Sequence, residues 1–283
     1  MAVWDIELLL SGGFQGELPR IVNESDRLCN GRLRKSREIH SSTVYGDKAM
    51  VRARAAEKAE SAKEVASEAI ASVKPRLRGV SHEWAFFVSL VLGAGLILAA
   101  RTPKATLAVA IYAVSLSALL GTSALYHRVN WTRPDVRRWM RRLDHSMIFF
   151  LIAGTYTPFA LLVLDGSLAD AILVVVWVGA IAGAVVETIW IDHPKWVAAL
   201  IYVSLGSVAA VAFPQLWLDM GVAGTLLVAS GGLLYTAGAV VYATQRPDPN
   251  PRVFGYHEVF HALVIAAAAA HFAAIAFFAL PSA

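Results

Sequence analysis

The feature that most limits the fold of this chain is a series of long apolar runs between residues 83 and 280. Each run is about 17–25 residues long, the length at which an α-helix crosses the hydrocarbon core of a bilayer. The polar segments between the runs are short, as in antiparallel helix bundles. The sequence therefore predicts an all-α polytopic membrane protein, a bundle of seven transmembrane helices. The predicted spans are 83–100, 105–126, 145–164, 169–190, 196–213, 221–243 and 255–280.

Composition separates this membrane part from a polar N-terminal part. Hydrophobic residues make up 57% of the 283 residues, more than a soluble domain carries. Residues 1–79 nevertheless hold 14 of the 25 Lys and Arg residues. We therefore expect a polar cytoplasmic tail over residues 1–79, disordered or helical, followed by a seven-transmembrane domain over residues 80–283. Because the positive charge lies in the tail and loops, no nucleic-acid partner is expected. The single cysteine, Cys29, excludes an intrachain disulfide and a cysteine-based zinc site.

Charges in the loops predict the orientation. Nine Lys and Arg residues lie in three loops on one side, six of them from Arg128 to Arg142. The opposite side carries only Arg101 and Lys104. Because loops rich in Lys and Arg stay in the cytoplasm, the N-terminus is predicted to be cytoplasmic. Seven spans then place the C-terminus outside, in a protein of the plasma membrane.

Ionisable residues inside the apolar spans predict a functional site, because they are costly in a membrane and mark function. His257 and His261 are four residues apart, so that on a helix both imidazoles lie on one face. Ser123 and His127 have the same spacing. In the predicted topology, six polar residues from separate parts of the sequence lie at one depth near the cytoplasmic side: His82, His127, Asp144, Glu187, and the pair His257 and His261.

The paired histidines favour a metal site, although two histidines hydrogen-bonded to neighbouring helices would give the same spacing. Three imidazoles and a water form the usual open, tetrahedral zinc site, and the bound water can reach a pKa near 7. Asp144 is the candidate general base or orienting group, unless it pairs with Arg141 or Arg142 at the interface. Ser123 can hydrogen-bond the water or Asp144; the alternative is a bond to its own helix carbonyl.

Three motifs carry a family resemblance. The segments Ser123-Ala-Leu-Tyr-His127, Asp144-His-Ser-Met-Ile148 and His257-Glu-Val-Phe-His261 resemble the hemolysin III family. That family is related to the progestin and adipoQ receptors and to seven-helix membrane hydrolases such as alkaline ceramidases. The similarity covers about residues 75–280. It implies a zinc ion bound by His127, His257 and His261, with Ser123 and Asp144 as further residues of the site.

The same resemblance leaves several functions open. The first is a zinc-dependent hydrolase acting on an amide or ester of a membrane lipid, and the others are a pore-forming cytolysin and a receptor-like protein with structural zinc. His257-Glu258-x-x-His261 also matches the zincin motif, with Leu164-Asp165-Gly166 as the third-ligand motif of intramembrane metalloproteases. In the predicted topology, however, Asp165 lies at the opposite face of the membrane. We therefore expect Glu258 to pair with a loop arginine or to support the metal site from beside it.

Overall fold

The structure is a computed structural model that describes Lys58 and residues 75–282. The chain divides into two compact units, Met1–Ser72 and Val73–Ala283. Most of the predicted tail over residues 1–79 lies outside the described residues; within the first unit only Lys58 is described, and it is helical and exposed. The predicted boundary at residue 79 stays a prediction, and only the second unit is described below.

Residues 75–282 are almost entirely helical, and no strand occurs among them beyond one isolated bridge between Asn250 and Phe254. The predicted all-α class is therefore confirmed. A 3₁₀ segment at Ser207–Ala212 joins the fifth and sixth helices, and a π-helical segment at Ile275–Ala279 continues the seventh. The α-helices are α1 (Val80–Ala99), α2 (Pro103–Arg128), α3 (Pro134–Leu162), α4 (Gly166–Ile189), α5 (Lys195–Gly206), α6 (Phe213–Thr244) and α7 (Tyr256–Ala274).

Six helical segments of the described chain are long and apolar enough to cross a membrane, whereas the sequence predicted seven spans. The difference lies in Lys195–Thr244, a continuous helical segment of 50 residues. A straight helix of that length would extend about 75 Å. Yet the Lys195 ammonium lies 5.7 Å from the centre of the Tyr242 ring. The segment therefore folds back on itself, and its two arms correspond to the predicted spans 196–213 and 221–243.

Gly221 marks this reversal. Inside the segment Phe213–Thr244 it adopts φ 67° and ψ −176°, outside the helical region. A residue with a Cβ atom would be strained at this positive φ, whereas glycine is not. The arms before and after Gly221 are of similar length, as expected for two crossings joined at their ends.

The third helix begins earlier than predicted. Residues 128–142 were predicted to form a loop, but α3 starts at Pro134, and proline is favoured in the first turn of a helix. The arginines that follow Pro134 therefore lie on the first turns of a helix that extends beyond the apolar span. Within its most apolar window α3 is 67% buried, against 22–44% for the other candidate spans. α3 is thus the central helix of the bundle, and both of its sides face protein.

The other helices surround α3 and expose apolar side chains. Helix α2 packs against α1 and α3, α4 packs against α3, and α6 packs against α7. Leu98 and Leu218 are among the most exposed large hydrophobic residues, at 85% and 81%. Apolar surface of this kind is stable against lipid rather than water, so the polytopic membrane fold agrees with the sequence prediction.

Candidate metal centre

Two helices supply three histidines that face one another. His127 lies in the last turn of α2, and His257 and His261 lie one turn apart at the start of α7. All three are buried, with His261 only 1% exposed. The ring centroid of His127 lies 4.7 Å from that of His257 and 5.1 Å from that of His261. The structure therefore brings the predicted ligand set together in one cluster.

The donor geometry of this cluster fits a metal ion. One nitrogen of each imidazole can be chosen so that all three lie within 4.8 Å of one another. The Nε2 atoms of His127 and His257 are 3.1 Å apart. Two nitrogens that share a tetrahedral zinc at 2.0–2.1 Å would be about 3.3 Å apart, close to that distance. In the described part of the chain no fourth His, Cys, Asp or Glu joins the group, which is the pattern of a site with an open coordination position.

A close backbone approach allows His127 to occupy this position. Gly79 precedes α1 with φ 78°, and a Cβ atom on it would lie 2.6 Å from Cβ of His127. Glycine satisfies both the positive φ and the short distance. The start of α1 can therefore lie directly against the end of α2, beside the histidine cluster.

Asp144 of α3 reaches the same cluster. Its side chain is buried, and Oδ2 lies 3.6 Å from Nε2 of His127. The alternative partners are engaged elsewhere. Arg141 donates to Asp192 and to the Ile191 carbonyl, and Arg142 stacks on Trp139. The structure thus places the Asp144 carboxylate beside the histidines, where it can accept a proton or a hydrogen bond from a group bound there.

Ser123 lies one turn before His127 on α2 and is 3% exposed. Its hydroxyl forms no hydrogen bond with another residue of the segment 75–282. By contrast, Ser115 on the same helix donates to the Ile111 carbonyl, the bond that was the alternative for Ser123. The Ser123 hydroxyl is therefore available to a water or a bound molecule.

Glu258 has two partners of its own. Its Oε1 lies 2.6 Å from Nε of Arg78, and its Oε2 accepts a hydrogen bond of 2.8 Å from the Gly255 backbone amide at the start of α7. This agrees with the expected pairing of Glu258 with an arginine outside the spans. Because both oxygens are engaged, Glu258 is poorly placed to act as a zincin-type base.

The protease motif at residues 164–166 is remote from the histidines. Asp165 is the residue that precedes α4, at the far end of α3 from Asp144. The 18 residues from Asp144 to Leu162 extend about 27 Å along a helix. Asp165 therefore cannot serve as a third ligand, in agreement with the sequence analysis.

A second polar cluster forms around Glu187 of α4, which is 1% exposed. Glu187 Oε1 accepts a hydrogen bond from the Tyr202 hydroxyl at 2.9 Å and lies 3.0 Å from Nε2 of His193. Its Oε2 lies 3.3 Å from Nδ1 of His145. Glu187 was predicted from the sequence to lie at the depth of the histidines, but this cluster was not predicted. From the sequence His145, next to Asp144 on a helix, would be expected at the membrane interface, yet it is only 9% exposed because α3 is enclosed on both sides.

His82 is a fourth imidazole at the histidine cluster. It lies in the first turn of α1, is 2% exposed and stacks on His261 with a centroid distance of 3.8 Å and an angle of 9°. Neither of its ring nitrogens has a hydrogen-bond partner. His271, farther along α7, lies outside this cluster, and its Nε2 is 3.0 Å from the Val228 carbonyl oxygen.

Comparison with known proteins identifies the family. Residues 70–272 match the family model described as Haemolysin-III related. The chain belongs to this family. It is 32% identical to Hemolysin-3 of Bacillus cereus over 182 residues, which are 64% of this chain and 80% of that protein. It is 31% identical to the Hemolysin-3 homolog of Bacillus subtilis (strain 168) over 168 residues, 59% of this chain and 75% of that protein.

The chain is also similar to a human protein. The chain is 28% identical to the Monocyte to macrophage differentiation factor of Homo sapiens over 168 residues, 58% of this chain and 67% of that protein. The family match includes His127, Asp144, His257 and His261. The resemblance stated from the three motifs is therefore confirmed.

Proposed function

We propose that this chain is a zinc-dependent hydrolase of the plasma membrane that cleaves an amide or ester bond of a lipid at the cytoplasmic face. The observation that carries the proposal is the arrangement around His127. Three buried imidazoles converge so that one nitrogen of each lies within 4.8 Å of the others, and the Asp144 carboxylate lies 3.6 Å from Nε2 of His127. A closed structural site would add a fourth protein ligand, and none is present among the described residues.

Each residue has a defined task in this proposal. His127, His257 and His261 hold the ion, and nitrogen ligands suit zinc. When bound, zinc polarises a carbonyl oxygen and activates water at neutral pH. Asp144 accepts the proton of the attacking water at Oδ2, since it is a buried carboxylate beside the ligands. Ser123 orients that water or Asp144 through its unpaired hydroxyl.

The segment before α1 stabilises this arrangement. Arg78 pairs with Glu258, the residue that follows His257, while the backbone amides of Arg76 and Leu77 donate to the carbonyls of Arg252 and Val253 before α7. These contacts fix the start of α7, on which two of the three ligands lie.

The surroundings of the site support a lipid as substrate. An open groove of about 900 Å³ lies between α1 and α2 and is lined mainly by apolar residues. At one end it includes Glu83 and Arg128, which form an ion pair of 2.7 Å and directly follow His82 and His127 in the sequence. From Glu83 to Ile97 it follows α1 for about 21 Å, the scale of a long acyl chain. Membrane lipids are accordingly the proposed partners.

The proposed orientation places the histidines on the inner side. The ends of α2 and α3 that carry His127 and Asp144 adjoin the arginine-rich segment from Arg128 to Arg142. Because Lys and Arg favour the cytoplasmic side, the N-terminus is cytoplasmic and the C-terminus outside in this proposal. The reaction then takes place near the inner leaflet.

A pore-forming cytolysin is the second candidate, because two relatives carry the name Hemolysin-3. The buried charged and histidine residues of the described chain favour the hydrolase, since most of them gather near one end of the helices rather than along a path through the bundle. A receptor-like protein with structural zinc is the third candidate. It would have the ion but no turnover.

One experiment separates these candidates. Purified protein is analysed for metal, assayed against a panel of lipid amides and esters, and tested for leakage of dye from liposomes. The hydrolase proposal predicts about one zinc per chain and cleavage that is lost on chelation and restored by zinc. Leakage without cleavage would favour the cytolysin, and bound zinc with neither activity would favour the receptor-like protein.

A further inference from the structure

His82 is a buried histidine that takes no part in the proposed reaction. Its ring is 2% exposed, and neither Nδ1 nor Nε2 has a hydrogen-bond partner. A buried polar group without a partner destabilises a fold and is rare unless a water or ligand satisfies it. The His82 ring also stacks on that of His261, with 3.8 Å between the ring centroids. The unpaired nitrogens are therefore at the histidine cluster rather than in an unrelated part of the core.

The stacking geometry excludes His82 as a ligand of the same ion. An imidazole binds a metal in the plane of its ring, through the lone pair of an sp² nitrogen. The rings of His82 and His261 are parallel within 9° and their centroids are 3.8 Å apart. An ion in the plane of His261 would thus lie well beyond the 2.0–2.1 Å of a zinc–nitrogen bond from either nitrogen of His82.

The same geometry suits a hydrogen bond to whatever occupies the open coordination position. The three ligands come from α2 and α7, whereas α1 and α3 present His82 and Asp144 to the same cluster. We infer that His82 donates a ring N–H hydrogen bond to the molecule bound at the fourth position of the proposed metal site, a water, an anion or the carbonyl oxygen of a substrate. Stacking on His261 holds the His82 ring for this bond. The inference rests on the proposed metal site but not on hydrolysis.

Two substitutions of His82 test the stacking of its ring and the hydrogen bonding of its nitrogens separately. His82→Phe keeps a planar ring of similar size against His261 and removes both nitrogens. His82→Gln keeps an amide N–H donor but loses the ring. His271→Phe is the matched control, because His271 is also a buried histidine in a span but contacts the Val228 carbonyl instead of the cluster.

The test uses the full chain loaded with Co²⁺, whose visible absorption reports the coordination of the ion. Sodium azide is titrated, since this small anion binds at an open position and accepts hydrogen bonds. We expect His82→Phe to bind one Co²⁺ with an unchanged spectrum and to bind azide roughly tenfold more weakly or worse, as for a lost hydrogen bond to a charged group. His82→Gln should fall between the wild type and His82→Phe, and His271→Phe should match the wild type.

Each result bears on the inference separately from the enzyme activity. Wild-type azide affinity in His82→Phe would overturn the inference, and so would loss of Co²⁺ from that variant, because His82 would then hold the ion. If His82→Phe did not fold, His82→Gln would decide instead. Azide affinity equal to that of the wild type would overturn the inference, and so would loss of Co²⁺ from this variant. If azide binding weakens as expected but no lipid is cleaved, His82 keeps its role and the hydrolase proposal fails. A wild-type chain that binds no Co²⁺ would overturn both.

Discussion

At the scale of single residues, the histidine cluster is costly to bury unless its ring nitrogens have partners. The Nε2 atoms of His127 and His257 lie 3.1 Å apart in a buried site. This contact is favourable only if one nitrogen donates its N–H to the other or if both nitrogens bind an ion. A metal satisfies all three imidazoles at once. We therefore expect His257→Ala and His261→Ala each to lose zinc and to lower the melting temperature, because metal binding contributes to folding.

Metal analysis and thermal melts with and without a chelator check this prediction. His271→Ala is the control, since it removes a buried histidine of α7 that lies away from the cluster and should leave the zinc content unchanged. Full zinc retention in the His257→Ala, His261→Ala double variant would contradict the ligand assignment.

A substitution of Asp144 tests the proposed proton transfer separately from metal binding. Asn at this position keeps the size of the side chain and a hydrogen-bonding oxygen but cannot accept a proton. We expect Asp144→Asn to retain zinc and to lower kcat by roughly 10²–10⁴-fold, the usual contribution of general base catalysis. Ser123→Ala should have a milder effect, because it removes one orienting hydrogen bond. Equal turnover by Asp144→Asn and wild type, measured on the same lipid substrate, would remove Asp144 from the mechanism.

At the scale of helices, the Glu187 cluster joins three parts of the bundle. It links α4 to His145 of α3, to His193 of the following loop and to Tyr202 of α5. Gln at position 187 would have one acceptor oxygen where Glu187 has two. Its amide N–H₂ would also face groups that donate hydrogen bonds to the carboxylate, such as the Tyr202 hydroxyl. We expect Glu187→Gln to lower the stability in detergent by about 1–3 kcal/mol while leaving the zinc content unchanged.

The control for this prediction is Thr188→Val on the same helix turn, which removes only a bond to the Ala184 carbonyl of its own helix. Thermal and denaturant unfolding of the two variants would be compared. A melting temperature of Glu187→Gln equal to that of Thr188→Val would show that the cluster does not hold the helices together.

The helices also show where prediction from the sequence reaches its limit. The histidine cluster could be predicted, because ionisable residues are rare in apolar spans and His257 and His261 have helical spacing. The environment of His145 could not, because adjacent residues of a helix point about 100° apart and only the packing of α3 decides whether both directions are interior. The stacking of His82 on His261 depends likewise on the approach of α1 to α7, for which the sequence holds no local signal. Gly221 is one glycine among 20, and only its φ identifies the reversal.

At the scale of the whole molecule, orientation decides which leaflet the site can reach. If the two arms of Lys195–Thr244 both cross the membrane together with the five other candidate spans, the number of crossings is odd, and the two ends of the membrane domain would lie on opposite sides. Nine Lys and Arg residues in the loops and adjoining helix turns on the side of the histidines, against two on the other side, favour a cytoplasmic site. We therefore expect a reporter fused after residue 283 to be active only outside the cytoplasm and one placed between Arg128 and Pro134 only within it. A C-terminal reporter active only in the cytoplasm would mean either that the topology is inverted or that the number of crossings is even. The loop reporter distinguishes these two cases. If the loop reporter is active only outside, the topology is inverted and the site faces the outer leaflet; if it is active in the cytoplasm, Lys195–Thr244 does not cross twice.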